Sequence, residues 1–218
     1  MQLSRNANRL VWAGMIAAIV MLAYQFRDTL ALLTTGQLTV TEDAEAADTV
    51  RLRWTGPVDV PMSQQFSEAI REWSRSKRRF VLELSSPGGS VSHGAAVIRQ
   101  LRELKQTHDL VTIVKAGDPC LSMCVPIYLQ GTRRVASPRS RWMFHEVRIR
   151  DAYTNEDVAG TDDARRRSTD RMFNDFFRPA GVSESWITVT RNAMRSGDVW
   201  RSGRALFEEK AGVILELE

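Results

Sequence analysis

The chain has 218 residues, 43% of them hydrophobic and 26% charged, and its 30 Lys+Arg against 26 Asp+Glu leave a net charge of +4. This composition excludes disorder throughout and fits one domain of ordinary size plus an extension, or two small domains. The basic residues are scattered (Lys77, Arg78, Arg79; Arg133, Arg134; Arg165, Arg166, Arg167), without aromatic–basic alternation or zinc-ligand spacing, so they read as solvated faces and no nucleic-acid partner is expected.

The chain opens with "MQLSRNANR", carrying Arg5 and Arg9, followed by the apolar run "LVWAGMIAAIVMLAY" over residues 10–24 and then by Arg27 and Asp28. Fifteen apolar residues fall short of the ~20 that span a bilayer comfortably and would also suit a signal-peptide core or a buried helix. Two features favour a retained anchor. "QFRDTL" offers no small-residue cleavage site, and Trp12 and Tyr24 flank the run where aromatic side chains settle at a membrane interface. Positive charge before the run points to a cytoplasmic N-terminus and an outward-facing body, periplasmic in a diderm bacterium. The expected organisation is a cytoplasmic tail (1–9), a single-pass inner-membrane anchor (10–26), a polar, acidic tether (27–48) and one α/β domain (49–218).

From Thr49 onward the pattern alternates between strand and helix. "TVRLRW" alternates at period two. "MSQQFSEAIREWSRS" places Phe66, Ile70 and Trp73 at helical spacing. "RFVLEL" is a compact strand running into "SSPGGS", "HGAAVIRQLREL" is helical, and "DLVTIVKA" is a strand. "SMCVPIYLQG" reads as an apolar helix and "RWMFHEV" as a strand. Most of "TDDARRRSTDRMFNDFF" and "ESWITVTRNAM" is helical, and "AGVILEL" ends the chain as a short strand. Strands separated by helices imply parallel pairing through crossovers.

Three stretches could carry chemistry. The two glycines after "LELSSP" let the backbone approach a ligand closely, although a plain tight turn is the simpler reading. Neither a dinucleotide fingerprint nor a P-loop is present, and no metal or cofactor is expected. Ser122, in "DPCLSMCVP", lies between a strand and a helix, where it could cap the helix or serve as a nucleophile. It is not in a G-x-S-x-G elbow, because positions 120 and 124 hold cysteine. His145 closes an apolar strand, His93 opens a helix as a weaker candidate base, and His108 sits in a polar turn. Residues alone do not choose an acid among Asp151, Asp157, Asp170, Asp175 and Asp198.

The order and spacing of "SSPGG", the serine–methionine step, "GTRRVASPRSRWMFH" and "SGDVWRSGRALFEEKAGVI" resemble the proteolytic subunit of the Clp protease, over about residues 49–218. That resemblance implies a parallel β-sheet spiral of the Clp protease/crotonase type with flanking helices. It implies a serine peptidase with Ser122 as nucleophile, His145 as general base and Asp198 as orienting acid, and with oxyanion-hole N–H groups from Gly89 and Met123. It also implies a polypeptide substrate and a homo-oligomer. The family's soluble members are fed by an ATPase ring. An outward-facing, anchored domain has no ATP supply, so the expectation is a membrane-anchored, periplasmic branch acting without an ATPase. Signal-peptide peptidases of the superfamily use a lysine base, but Arg133 and Arg134 stand where a Ser–Lys dyad would need a lysine.

Cys120 and Cys124, the only cysteines, are expected to form a disulfide in an oxidising compartment, with Cys120 in the turn ahead of the helix. Two other functions stand beside the peptidase: a catalytically silent Clp-like scaffold that only binds peptides, and an acyl-CoA enzyme of the crotonase type, which shares the glycine turn and oxyanion hole.

Overall fold

In the computed structural model, which describes residues 35–149, 154 and 156–218, the apolar strands pair into a six-stranded sheet and a separate three-stranded one. The elements run β1 (Gln37–Glu42), β2 (Thr49–Thr55), α1 (Val60–Trp73), β3 (Arg79–Ser85), α2 (Val91–Leu104), β4 (Asp109–Val114) and β5 (Pro119–Leu121). They continue with α3 (Cys124–Tyr128), β6 (Arg133–Ala136), β7 (Arg141–Phe144), α4 (Asp162–Met172), α5 (Glu184–Met194), β8 (Val199–Ser202), α6 (Gly203–Glu208) and β9 (Glu216–Leu217). A π-helical turn, Phe173–Phe177, and a 3₁₀ turn, Arg178–Ala180, extend α4. The main sheet has the order β1-β2-β3-β4-β6-β9, parallel except for the antiparallel β1, and the small sheet has the order β5-β7-β8.

The anchor expected over residues 10–26 lies outside the described residues, as does the tail before it. Among the described residues no helix is long and apolar enough to cross a membrane. The tether expected over 27–48 is corrected in its second half. Residues 37–42 form β1 and pair along β2 (Leu38↔Trp54, Val40↔Leu52), so the compact unit begins at Gly36 rather than at residue 49. Its half-buried positions Leu38 and Val40 alternate with polar ones, a period-two signal that the acidic flank hides.

The run Phe80–Leu84, apolar except for Glu83 and buried throughout, marks a strand covered on both faces. On one face Leu52, Trp54, Phe80, Leu82 and Leu110 join the core with Met62 and Phe66 of α1 and Val97, Ile98 and Leu101 of α2. On the other, Val81, Val111 and Val135 form a smaller apolar cluster beside Glu83, which is 5% exposed. Glu83 is tolerated there because Arg51 (3.2 Å), Arg53 (3.4 Å) and Lys115 (2.9 Å) surround it.

The small sheet is anchored by aromatic packing. Trp142 of β7 meets Tyr128 of α3 edge-on at 4.8 Å, and Phe144 meets Trp186 of α5 at 5.1 Å. Both β7 rings are buried, which fixes where β7 ends and therefore where residue 145 emerges.

Burial would raise the Glu83 carboxyl, yet the hydrogen bond and charge of Lys115, with Arg53 and Arg51, outweigh it and hold the group below its ordinary value. A carboxyl lowered in the folded state adds stability above its unfolded value, and that stability is lost as pH falls through the lowered folded value. Glu83→Gln is therefore expected to destabilise the domain by about 2 kcal/mol at pH 7. Urea unfolding followed from neutral pH downward should also show a flatter acid limb in the variant.

Candidate functional site

The small sheet sets the geometry. β5 pairs parallel with β7 (Leu121↔Met143), and β7 pairs antiparallel with β8 (Phe144↔Val199). Ser122 follows β5, His145 follows β7 and Asp198 precedes β8. The register alone thus delivers all three to the same end of the sheet. There they line a cleft of about 1180 Å³, together with Gly88, Gly89, Met123 and His93.

The turn after β3 forms the opposite wall and is stitched to β5. Ser86 N–H donates to Pro119 C=O at 2.7 Å, Leu121 N–H donates to Ser86 C=O at 3.0 Å, and Gly88 N–H donates to Ser86 Oγ at 3.1 Å. Gly88 and Gly89 have φ of 85° and 152°, conformations that glycine adopts without strain. Val58 clamps Gly89: its N–H donates to Gly88 C=O, and its C=O accepts from Ser90 N–H, both at 2.8 Å. Gly88 approaches the serine turn so closely that a Cβ there would lie 2.5 Å from Leu121 C=O, 2.8 Å from Ser122 Cβ and 3.0 Å from Met123 N.

Ser122 is half-buried and has φ of 50°, the left-handed region, which costs a non-glycine residue roughly 1–2 kcal/mol. Its N–H donates to Met143 C=O at 2.9 Å, and its C=O accepts from Val125 N–H at 3.0 Å. It is therefore held in the turn rather than capping the helix with its side chain. Met123 buries its side chain against α2, where Gly94 makes room: a Cβ at Gly94 would lie 2.5 Å from Met123 Cε. Among the described residues, neither Gly89 N–H nor Met123 N–H donates to a backbone carbonyl, and both residues line the cleft.

Cys120 and Cys124 are disulfide-bonded with their Cα atoms 5.2 Å apart, Cys120 in β5 and Cys124 opening α3. The helix expected to begin near Ser122 thus starts at residue 124, and residues 119–121 are strand. A five-residue loop closed in this way stabilises by about 2 kcal/mol in the chain-entropy model, comparable to the cost of the left-handed serine inside it.

His145 and Asp198 are engaged by other groups. His145 Nδ1 lies 2.5 Å from Glu146 C=O. A carbonyl only accepts, so Nδ1 carries a proton there and the lone pair of a neutral ring sits on Nε2. The segment after His145 is pinned by Val147 N–H, which donates to Thr169 Oγ1 of α4 at 2.8 Å. The Asp198 carboxylate faces Arg148, at 3.3 Å. The structure thus brings the serine, histidine and aspartate to one cleft with the carboxylate turned toward an arginine. His93, on the opposite wall, has its Nε2 3.9 Å from Asp59. Arg148 and Asp59 escaped the sequence reading. Arg148 sits in a run without periodicity, and Asp59 looks like the helix cap that it also is, accepting from Val60 N–H at 2.7 Å. Elsewhere, His108 is structural, bonded to Ser74 C=O at 2.9 Å and edge-on to Phe80. Among the described residues no three His, Cys, Asp or Glu side chains converge as a metal site.

Comparison with known protein families gives a match to the Clp protease family over residues 42–192. No curated protein matches the chain.

The crowding at Gly88 separates two costs. Gly88→Ala should destabilise the domain by about 1–3 kcal/mol, because left-handed strain and backbone overlap add. Gly117→Ala, at φ of 80° with nothing within 4 Å, should cost only the strain, about 1 kcal/mol. Thermal unfolding of the two variants checks the difference.

Proposed function

The chain belongs to the Clp protease family, and from that premise we propose that it is a serine peptidase in which Ser122 attacks the peptide carbonyl, His145 is the general base and Asp198 orients the histidine. The observation that carries this reading is Ser122 itself. It is a non-glycine residue held at φ of 50° across from the Gly88–Gly89 turn, in one cleft with His145 and Asp198. A serine hydroxyl becomes a useful nucleophile only when a base takes its proton. The neutral ring with its lone pair on Nε2 is the form that can do so. The N–H groups of Gly89 and Met123 would donate to the oxyanion, a contribution of roughly 3–4 kcal/mol per donor in such enzymes. His145 would then return its proton to the leaving amine, and water would release the acyl group by the same steps. Substrates would be unfolded or short polypeptides, and self-association of the chain is part of the proposal. So are an N-terminal anchor, a periplasmic location and independence from an ATPase, all of which rest on the charge and apolar pattern of residues 1–28.

A catalytically silent peptide-binding scaffold is the second reading, favoured by the Arg148–Asp198 ion pair that takes up the acid and by Glu146 C=O, which takes the His145 Nδ1–H that the acid would accept. Hydrolysis of a fluorescent unfolded polypeptide separates the two. Ser122→Ala and His145→Ala should each lower kcat by at least ~10⁴-fold, and Asp198→Asn by about 10²–10⁴-fold. His93→Ala should leave most of the activity. Wild-type protein without hydrolysis above a Ser122→Ala background would favour the scaffold.

Because the Arg148–Asp198 pair is more than one-third exposed, it is worth no more than about 1 kcal/mol. Freeing the carboxylate with Arg148→Gln should therefore raise kcat by no more than about 5-fold. A large rise in KM would instead assign Arg148 to substrate binding.

A further inference from the structure

We propose that the Cys120–Cys124 disulfide is a redox clamp on the site, so that the peptidase is active only when the bond is closed. This rests on the reading of Ser122 as nucleophile and adds how that site is controlled.

The bond encloses Leu121, Ser122 and Met123, the three residues that face Gly88 across the cleft wall. It ties the middle residue of β5 to the first residue of α3 with no other element between them. β5 is well fixed, by Cys120↔Trp142 on one side and by the Ser86 bridge on the other. α3 is held by the packing of Val125, Ile127 and Tyr128, all buried. The turn between them has no other covalent tie: outside strand and helix its backbone hydrogen bonds among the described residues are Ser122 N–H to Met143 C=O and Val125 N–H to Ser122 C=O, and Met123 packs against Gly94 of α2. A serine at φ of 50° has a lower-energy basin at negative φ. Rotation toward it would move Oγ from its present place in the cleft and re-aim the peptide that carries the Met123 N–H.

Packing gives reduction its leverage. Both cysteines are fully buried, and so is Met123 beside them. Two thiols cannot remain at bonding distance and must separate to van der Waals contact. In a close-packed interior that displacement is transmitted to the segment between them. The reaction is a two-electron exchange with a dithiol. One thiolate of the dithiol attacks a cysteine sulfur and forms a mixed disulfide, and its second thiol then displaces the protein sulfur. The products are the Cys120 and Cys124 thiols and a cyclic, oxidised dithiol. Burial of both sulfurs makes this slow, because the turn must open before attack. The clamp therefore reports the redox compartment rather than rapid fluctuations within it.

The test uses the full-length protein and the rate at which a fluorophosphonate labels Ser122, a single event that does not depend on substrate choice. Wild-type protein is compared before and after dithiothreitol, with free thiols counted by alkylation and mass spectrometry, and beside Cys120→Ala/Cys124→Ala. The expected result is a labelling rate at least ten-fold lower in the reduced protein and in the double variant, recovery on reoxidation of the wild type, and a retained cooperative thermal transition in each. Labelling within two-fold of the oxidised wild type would overturn the clamp and leave the nucleophile standing. Loss of the cooperative transition on reduction would also overturn it, because the bond would then hold the domain rather than the turn. No labelling of the oxidised wild type would overturn the reading of Ser122, and the clamp with it.

Discussion

The pairing of β7 with β5 on one side and β8 on the other is the constraint on which the site depends. Strands Pro119–Leu121, Arg141–Phe144 and Val199–Ser202 come from three distant parts of the chain. Their registers place the residue after the first two and the residue before the third at one end. Because successive side chains of a strand point to opposite faces, a slip of one residue would move Trp142 and Phe144 out of the core. Their burial against Tyr128, Trp186 and Phe177 therefore fixes the register. The aromatic core under β7 and the chemistry at its end are two consequences of one alignment.

The second requirement is a close approach between backbones. The turn that holds Gly88 lies within van der Waals contact of the Leu121–Met123 turn, and a Cβ at Gly88 would block that approach. The remaining strain sits on the serine side, at Ser122, whose hydroxyl the proposed mechanism uses. The disulfide and the bonds from Met143 and Val125 surround that strained residue, a common arrangement where backbone cost is tolerated for function.

Much of the fold was legible because its signals are local. Apolar runs such as "RFVLEL" and helical spacing such as Phe66, Ile70 and Trp73 survive in any context. The strands missed were short or masked by neighbours. Residues 119–121 have no period of their own and exist because β7 lies alongside. Residues 133–136 begin with two arginines, one of them buried. Residues 37–42 sit in an acidic stretch. For the site, the serine turn and the glycine turn could be found from residue type and position. Asp198 could be preferred only through the family resemblance, because what gathers it with His145 is the Phe144↔Val199 pairing, a contact between residues 55 apart in the chain. The Arg148–Asp198 pair leaves no trace in the sequence, since it spans 50 residues and joins two exposed side chains.

The most direct measurement of whether Ser122 is an activated nucleophile is peptide mapping by mass spectrometry of the oxidised protein after reaction with a fluorophosphonate. The expected result is a single adduct, on Ser122, that disappears in His145→Ala. No adduct, or an adduct on Ser90 or Ser92, which line the same cleft, would contradict it.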